Sequence, residues 1–185
     1  MRTELKSKFI QHLNRKKRDE GFTLIELLVV IIVVGILAAI ALPNFLNQDV
    51  KAKQAEAKQN VVLVNKSQNS YRAEKNNFAT TFNTLAIGSV IDSDPVVGGA
   101  GTTTNYIYTI SGTVETASII AYPRDNALKG FSGGATRFDN NQSQSVIATV
   151  LCQNLTNGTT VAIVAPTQAA GVPPVCQATT ALVSP

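Results

Sequence analysis

The chain contains the stretch Gly21-Phe22-Thr23-Leu24-Ile25-Glu26, which opens an apolar segment that continues to Pro43. The sixteen residues from Leu27 to Leu42 carry no polar side chain. Counted from Phe22, the twenty-one residues of the segment would form a helix about 31 Å long, enough to cross a bilayer core of about 30 Å. An ionised carboxylate in such a segment is costly unless it finds a partner, so Glu26 is predicted to be functional.

The net charge of +4 is confined to the first 21 residues. Residues 1–21 hold seven basic and three acidic side chains, and the remaining nine basic and nine acidic side chains cancel. A basic segment before an apolar one predicts a cytoplasmic N-terminus with the rest of the chain translocated. The high calculated pI therefore does not indicate a nucleic-acid partner, and we predict no direct nucleic-acid binding.

Three hypotheses account for this N-terminus. The segment is an uncleaved signal anchor, or it is a secretory signal cut after Ala39-Ile40-Ala41, which has the small-x-small pattern of such sites. The third hypothesis is cleavage after Gly21, which makes Phe22 the new N-terminus. In that case Glu26 lies one helical turn from a new α-amino group, and helix geometry favours the amine of a neighbouring chain as its partner.

The sequence from Gly21 to Leu27, with the apolar run and Pro43 after it, closely resembles the class III signal of type IV prepilins and type II secretion pseudopilins. The resemblance implies that a prepilin peptidase cuts between Gly21 and Phe22, and that the same type of enzyme N-methylates Phe22. It also implies that Glu26 meets the Phe22 amine of a neighbouring subunit during assembly. The leader is longer than in many proteins of this kind, and the stretch 68–88 resembles cyanobacterial pilin-like proteins.

The resemblance implies a structural subunit of a type IV pilus that serves motility, adhesion or DNA uptake. The precursor would lie in membrane lipid of the inner membrane and meet the pilus assembly machinery there. It would then polymerise into a homo-oligomeric extracellular filament. A type II secretion pseudopilin and a signal-anchored exported binding domain are the alternatives.

Two residues of the apolar helix have both a local and an assembly interpretation. Gly35 permits close helix packing, and Pro43 bends or ends a helix because it lacks the backbone donor. In a filament, a helix that loosens near Pro43 is able to stretch as subunits pack. We expect both interpretations to hold together.

The predicted organisation is a removable basic leader over 1–21, a hydrophobic transmembrane and assembly helix over 22–43, an amphipathic helical half over 44–76, and a globular head over 77–185. An apolar stripe at three- and four-residue steps predicts that the helix continues to about Lys75 and ends at Asn76-Asn77. The stripe consists of Leu46, Val50, Ala57, Val61, Val64 and Tyr71.

The head is predicted to carry a small antiparallel sheet, which with the long helix gives an α+β, pilin-like fold. Alternating and β-branched runs predict a hairpin from 106–110 and 117–122, a third strand over 145–152 and a fourth over 160–164. The segment 78–104 is predicted to be a connecting loop with one helical turn near 81–86.

The chemistry-bearing residues do not favour an enzyme. His12, the single histidine, lies in the leader, so a processed chain lacks the usual general base and metal ligand. Cys152 and Cys176 are predicted to form a disulfide in an oxidising compartment. No catalytic residue, metal site or cofactor is predicted, and Asp92 and Asp94 are expected to form a solvated turn.

Overall fold

The computed structural model describes residues 22–87, 91–94, 100–139, 142, 144–159, 172–177 and 180–183. The chain divides into two compact units, Met1–Asn47 and Gln48–Pro185. Helix α1 (Leu24–Lys75) contributes to both.

Helix α1 ends where the sequence predicts. Arg72 and Lys75 lie in its last turn, where cations interact favourably with the helix dipole. Asn76 follows with φ of 56°, the left-handed conformation that asparagine tolerates at a helix C-terminus. Pro43 lies inside α1, so it does not end the helix, although its missing N–H removes one backbone hydrogen bond there.

The N-terminal unit presents its apolar side chains to the surroundings. An 18-residue window of this helix has a mean hydropathy of 3.1, none of it is buried within the chain, and it is long and apolar enough to cross a membrane. The side chains from Phe22 to Leu42 are all exposed. The apolar surface therefore has no cover within the described chain and needs lipid or other chains around it.

The second unit is built on an antiparallel sheet whose described strands are in the order β1 to β7, each paired with the next along the chain. The strands are β1 (Asp92–Asp94), β2 (Ala100–Thr102), β3 (Tyr106–Gly112), β4 (Thr116–Pro123), β5 (Lys129–Asp139), β6 (Ser145–Asn157) and β7 (Thr180–Leu182). A short 3₁₀ helix, Asn83–Leu85, lies between α1 and β1. The α+β fold class is confirmed.

The second half of α1 packs on this sheet. Ala57, Val61 and Val64 are fully buried and share one core with side chains of β3 to β6. The closest approach is at Gly133, where a Cβ atom would lie 2.6 Å from Val61 Cγ1 and 2.9 Å from Asn65 Nδ2. Only glycine leaves room for the helix at this point. The buried part of the predicted stripe is thus confirmed, whereas Leu46 is 58% exposed.

The predicted strands are partly right. The hairpin is β3 paired with β4, and the third strand is β6, which extends to Asn157. The predicted helical turn near 81–86 is the 3₁₀ helix. The predicted loop over 78–104 was wrong in part, because it contains β1 and β2, and the central strand β5 was missed. The predicted strand over 160–164 lies outside the described residues.

Candidate assembly site

Thr23 and Glu26 form a reciprocal hydrogen-bonded pair at the start of α1. The Thr23 backbone N–H donates to Glu26 Oε2 at 2.9 Å, and the Thr23 hydroxyl donates to the same oxygen at 2.7 Å. In return, the Glu26 N–H lies 3.3 Å from Thr23 Oγ1. The Thr23 carbonyl accepts the first helical bond, from Leu27 N–H at 3.3 Å. This arrangement is a capping box, in which residues at the N-cap and N3 positions satisfy each other's donors.

The capping box gives Glu26 a partner inside its own chain. The sequence prediction considered the amine of Phe22 as the partner and did not include Thr23. The missed signal was the Thr-x-x-Glu spacing directly before an apolar run, which is typical of a helix start. Two donors on Oε2 and the positive end of the helix dipole reduce the cost of a carboxylate at this depth of an apolar segment.

The site nevertheless leaves room for a second partner. Both described contacts of the carboxylate fall on Oε2, and a carboxylate accepts about four hydrogen bonds in all. Phe22 precedes the capping box and is 89% exposed. An amine on Phe22 of a neighbouring chain would therefore have access to Glu26 without displacing Thr23. Gly21 lies outside the described residues.

The two residues predicted to affect helix packing lie in the exposed unit. Gly35 has no heavy atom within 4 Å of the position that a Cβ would occupy. Its small size therefore does not serve packing within the described chain. Pro43 is exposed within α1. The assembly roles of both residues stay predictions.

The predicted disulfide is present in the second unit. Cys152 of β6 is bonded to Cys176, with 5.7 Å between their Cα atoms. Cys152 is fully buried, and β7 pairs with the same part of β6, Leu182 opposite Cys152. The bond therefore fixes the C-terminal segment to β6, the strand that also carries β7.

The described residues do not contain a group of three or more His, Cys, Asp or Glu side chains able to hold a metal ion. Asp92 and Asp94 lie in β1, so the turn predicted at these residues was wrong; their side chains lie outside the described part of the chain. Burial raises the pKa of two tyrosines of β3, Tyr106 and Tyr108. Their hydroxyls bond to Lys129 O and Asn60 Nδ2, which is a core arrangement.

Comparisons with known proteins agree with this geometry. Residues 54–179, more than half of the chain, match the family model described as Type IV pilin-like G and H. Residues 16–42 match the prokaryotic N-terminal methylation motif, which includes the capping box. A long helix with a capped glutamate at its start, packed on an antiparallel sheet, defines a pilin-like protein. The chain belongs to the family of Type IV pilin-like G and H proteins.

Curated relatives are similar over a shorter part. The type IV major pilin protein PilA of Myxococcus xanthus is 44% identical over 68 residues, which cover 37% of this chain and 31% of that protein. The type II secretion system core protein G of Aeromonas hydrophila is 37% identical over 67 residues, covering 36% and 47%. The protein of the same name in Escherichia coli is 31% identical over 64 residues, covering 35% and 44%. The chain thus matches less than half the length of these relatives.

Proposed function

We propose that this protein is the structural subunit of a type IV pilus, made as an inner-membrane precursor and cut between Gly21 and Phe22. After N-methylation of Phe22, subunits polymerise through their N-terminal helices into an extracellular filament. The observation that carries the proposal is the uncovered apolar helix that begins with the Thr23–Glu26 capping box. The matching methylation motif and the similarity to a major pilin support it.

The exposed helix provides the energetic reason for polymerisation. Its apolar side chains contact lipid in the precursor and would be exposed to water if a single subunit left the membrane. Packing against the same helices of other subunits keeps that surface out of water. Gly35, with open space around it, fits a position where a neighbouring helix comes close.

Glu26 provides the register in this proposal. When its carboxylate pairs with the Phe22 amine of the next subunit, two opposite charges in apolar surroundings compensate each other. A hydrogen bond between charged groups is also among the stronger ones. A subunit placed one residue out of step would leave both charges unpaired. Assembly therefore selects one axial position.

The test separates the charge of Glu26 from its capping role. Glu26→Gln retains an amide oxygen able to accept from Thr23, and glutamine is accepted in capping boxes, whereas Glu26→Val removes cap and charge together. With each variant as the sole pilin, we expect normal membrane insertion and cutting but few surface filaments. If Glu26→Gln gave abundant filaments while Glu26→Val did not, capping and not charge pairing would be the role of Glu26.

Processing is tested at the other side of the cut. Gly21→Arg places a large charged side chain next to the scissile bond, and full-length precursor is expected to accumulate in the inner membrane. The partners implied here are the prepilin peptidase and methyltransferase, the assembly machinery of the inner membrane, and other copies of this chain.

A type II secretion pseudopilin is the second candidate, because several relatives are secretion system core proteins G. Deletion of the gene distinguishes the two functions. Loss of surface fibres with normal export of secreted proteins supports the pilus subunit, and loss of export with intact fibres supports the pseudopilin.

A further inference from the structure

Four charged side chains near the start of the second unit form two pairs on different sides of α1, with Lys53 next to the acidic pair. Lys51 and Lys58 are seven residues apart, as are Asp49 and Glu56. Seven residues make about two helical turns, so each pair shares one face. Lys51 follows Asp49 by two residues, which is a rotation of about 200° around the axis. The basic pair and the acidic pair therefore lie on opposite flanks of the helix.

Contacts of α1 with the sheet show on which side of its buried face each flank lies. Ala57 and Val61 between the flanks are fully buried against the sheet. On the acidic flank, Glu56 Oε2 accepts a hydrogen bond of 2.8 Å from Asn105, just before β3. On the other flank, Asn65 Nδ2 donates to the Val150 carbonyl of β6 at 3.0 Å. The two flanks thus adjoin opposite sides of the sheet.

The acidic flank keeps accessible negative charge. Asp49 is 47% exposed and pairs with Lys53 at 2.7 Å, but an exposed pair of this kind holds its partners weakly. The pKa of Lys53 is raised, mainly by its hydrogen bond with Asp49 and by the charge of Asp49, and Asp125 also raises it. The lysine therefore lies in the electrostatic field of two acids, Asp49 and Asp125.

The basic flank has no such partner in the part of the chain that the structure describes. Lys51 is exposed and Lys58 is half-buried, and neither forms an ion pair with a described residue. One turn beyond Lys58, Val62 begins an open groove of about 600 Å³ between α1, β6 and β7. Leu182 on its wall is 73% exposed. The basic flank thus continues into a groove that is lined mainly by apolar side chains and also carries Lys66.

We propose that the Lys51–Lys58 flank of one copy packs against the Asp49–Glu56 flank of the next copy in the filament. This contact rests on the proposed function and adds to it a specific surface on the second half of α1. The two seven-residue spacings match, so a parallel helix displaced along the axis in the direction that brings its Phe22 amine to Glu26 also brings its two acids towards the two lysines. Different surfaces meet in this contact, and a contact of that type repeats along an open filament instead of closing a dimer.

A second copy of this chain fits the basic flank better than lipid or nucleic acid does. Two isolated lysines would attract any anionic surface, but the opposite flank of the same helix supplies acids at the same spacing. Each copy then carries both halves of the contact. The lipid hypothesis gives a different result in the test below, because it does not involve the acids.

The test uses charge reversal in the full chain, expressed as the sole pilin. Lys51→Glu with Lys58→Glu is expected to lower sheared surface filaments, relative to processed subunit in the membrane, about tenfold, equivalent to about 1.4 kcal/mol. Adding Asp49→Lys and Glu56→Lys to the same chain restores complementarity and is expected to restore filaments. Replacement of Glu56 also removes its hydrogen bond with Asn105. The double variant Lys51→Glu with Asp49→Lys therefore exchanges one charge on each flank and leaves that hydrogen bond intact.

The matched control is Lys75→Glu with Arg124→Glu, which makes the same charge change at exposed positions outside both flanks; it should leave filaments at the wild-type level. Wild-type filament yield from Lys51→Glu with Lys58→Glu would overturn this contact and leave the proposed function standing. A loss of surface filaments that neither charge swap restores would also overturn the contact between flanks and would favour a lipid partner. A wild-type chain that forms no filaments would remove the proposed function and this contact together.

Discussion

Gln68 joins the end of α1 to the segment that follows it. Its side chain is 2% exposed. Its Oε1 accepts from the Ala79 N–H at 2.8 Å, and its Nε2 donates to the Ala79 carbonyl at 2.8 Å. Ala79 is itself buried, and a Cβ on Gly112 would clash with its carbonyl oxygen. One side chain therefore satisfies both backbone groups of a tightly packed residue.

Replacement of Gln68 by leucine, which is close in size, removes both bonds and leaves two buried backbone groups of Ala79 without these partners. Each unsatisfied group costs about 1–3 kcal/mol, so the free energy of unfolding should fall by roughly 2–6 kcal/mol. For a unit of this size, that loss lowers the melting temperature by roughly 5–20 °C. The energy comes from desolvated backbone groups and not from lost apolar packing.

The assay is thermal unfolding of the purified full chain in detergent, followed by the near-ultraviolet circular dichroism of its tyrosines. Gln59→Leu is the matched control, since Gln59 is exposed on the same helix, and surface changes of this kind are usually within about 0.5 kcal/mol. Equal melting temperatures for the two variants would refute the argument that Gln68 holds Ala79.

Three further predictions concern the head. Gly133→Ala should destabilise it by about 1–3 kcal/mol, because the new Cβ would lie 2.6 Å from Val61 Cγ1; Gly35→Ala, in open space, should leave the melting temperature of the head unchanged. Removal of the disulfide by Cys152→Ala with Cys176→Ala should cost about 3.5 kcal/mol in chemical denaturation, since it closes a loop of 24 residues; an unchanged midpoint would contradict this. Burial raises the pKa of Tyr106 and Tyr108, so stability should be intact below pH about 10 and fall as the pH rises above it, where only the unfolded tyrosines lose their protons. Tyr106→Phe should make that fall less steep in a pH series of melting curves.

The elements with a clear periodic pattern could be predicted from the sequence. The apolar run and the stripe through Val61 and Val64 give α1 and its end, because helix period and capping are local properties. The alternation over 106–122 gives the β3–β4 hairpin for the same reason. Cys152 and Cys176 follow from the export that the basic leader predicts.

Strand β5 could not be predicted in this way. Its residues from Gly130 to Thr136 are all buried, so the usual alternation of apolar and polar residues is absent. Gly133 and Gly134 read locally as a turn, whereas Gly133 lets α1 approach the sheet. The reason for Gly133 is a contact with Val61, some 70 positions earlier in the chain.

At the candidate site, the sequence singles out Glu26 but not the hydrogen-bond partner that the structure gives it. Glu26 stands out because a charge in an apolar run is costly. Thr23 does not, because threonine is unremarkable at an apolar helix start until its spacing to Glu26 is considered. The capping box also changes the interpretation of Glu26: its carboxylate is held in place by its own chain before any neighbour arrives. The narrower resemblance to cyanobacterial pilin-like proteins stays a prediction.

The most direct test of the central claim is mass spectrometry of the N-terminal peptide of the protein isolated from cell membranes and from sheared surface material. We expect an N-methylated Phe22 as the first residue in both fractions, followed by Thr23 and, four residues after Phe22, by Glu26. A chain that begins at Leu42 would indicate ordinary secretion, and one that begins at Met1 would indicate an uncut anchor. Either result would contradict assembly through helix α1 with Phe22 as its free N-terminus.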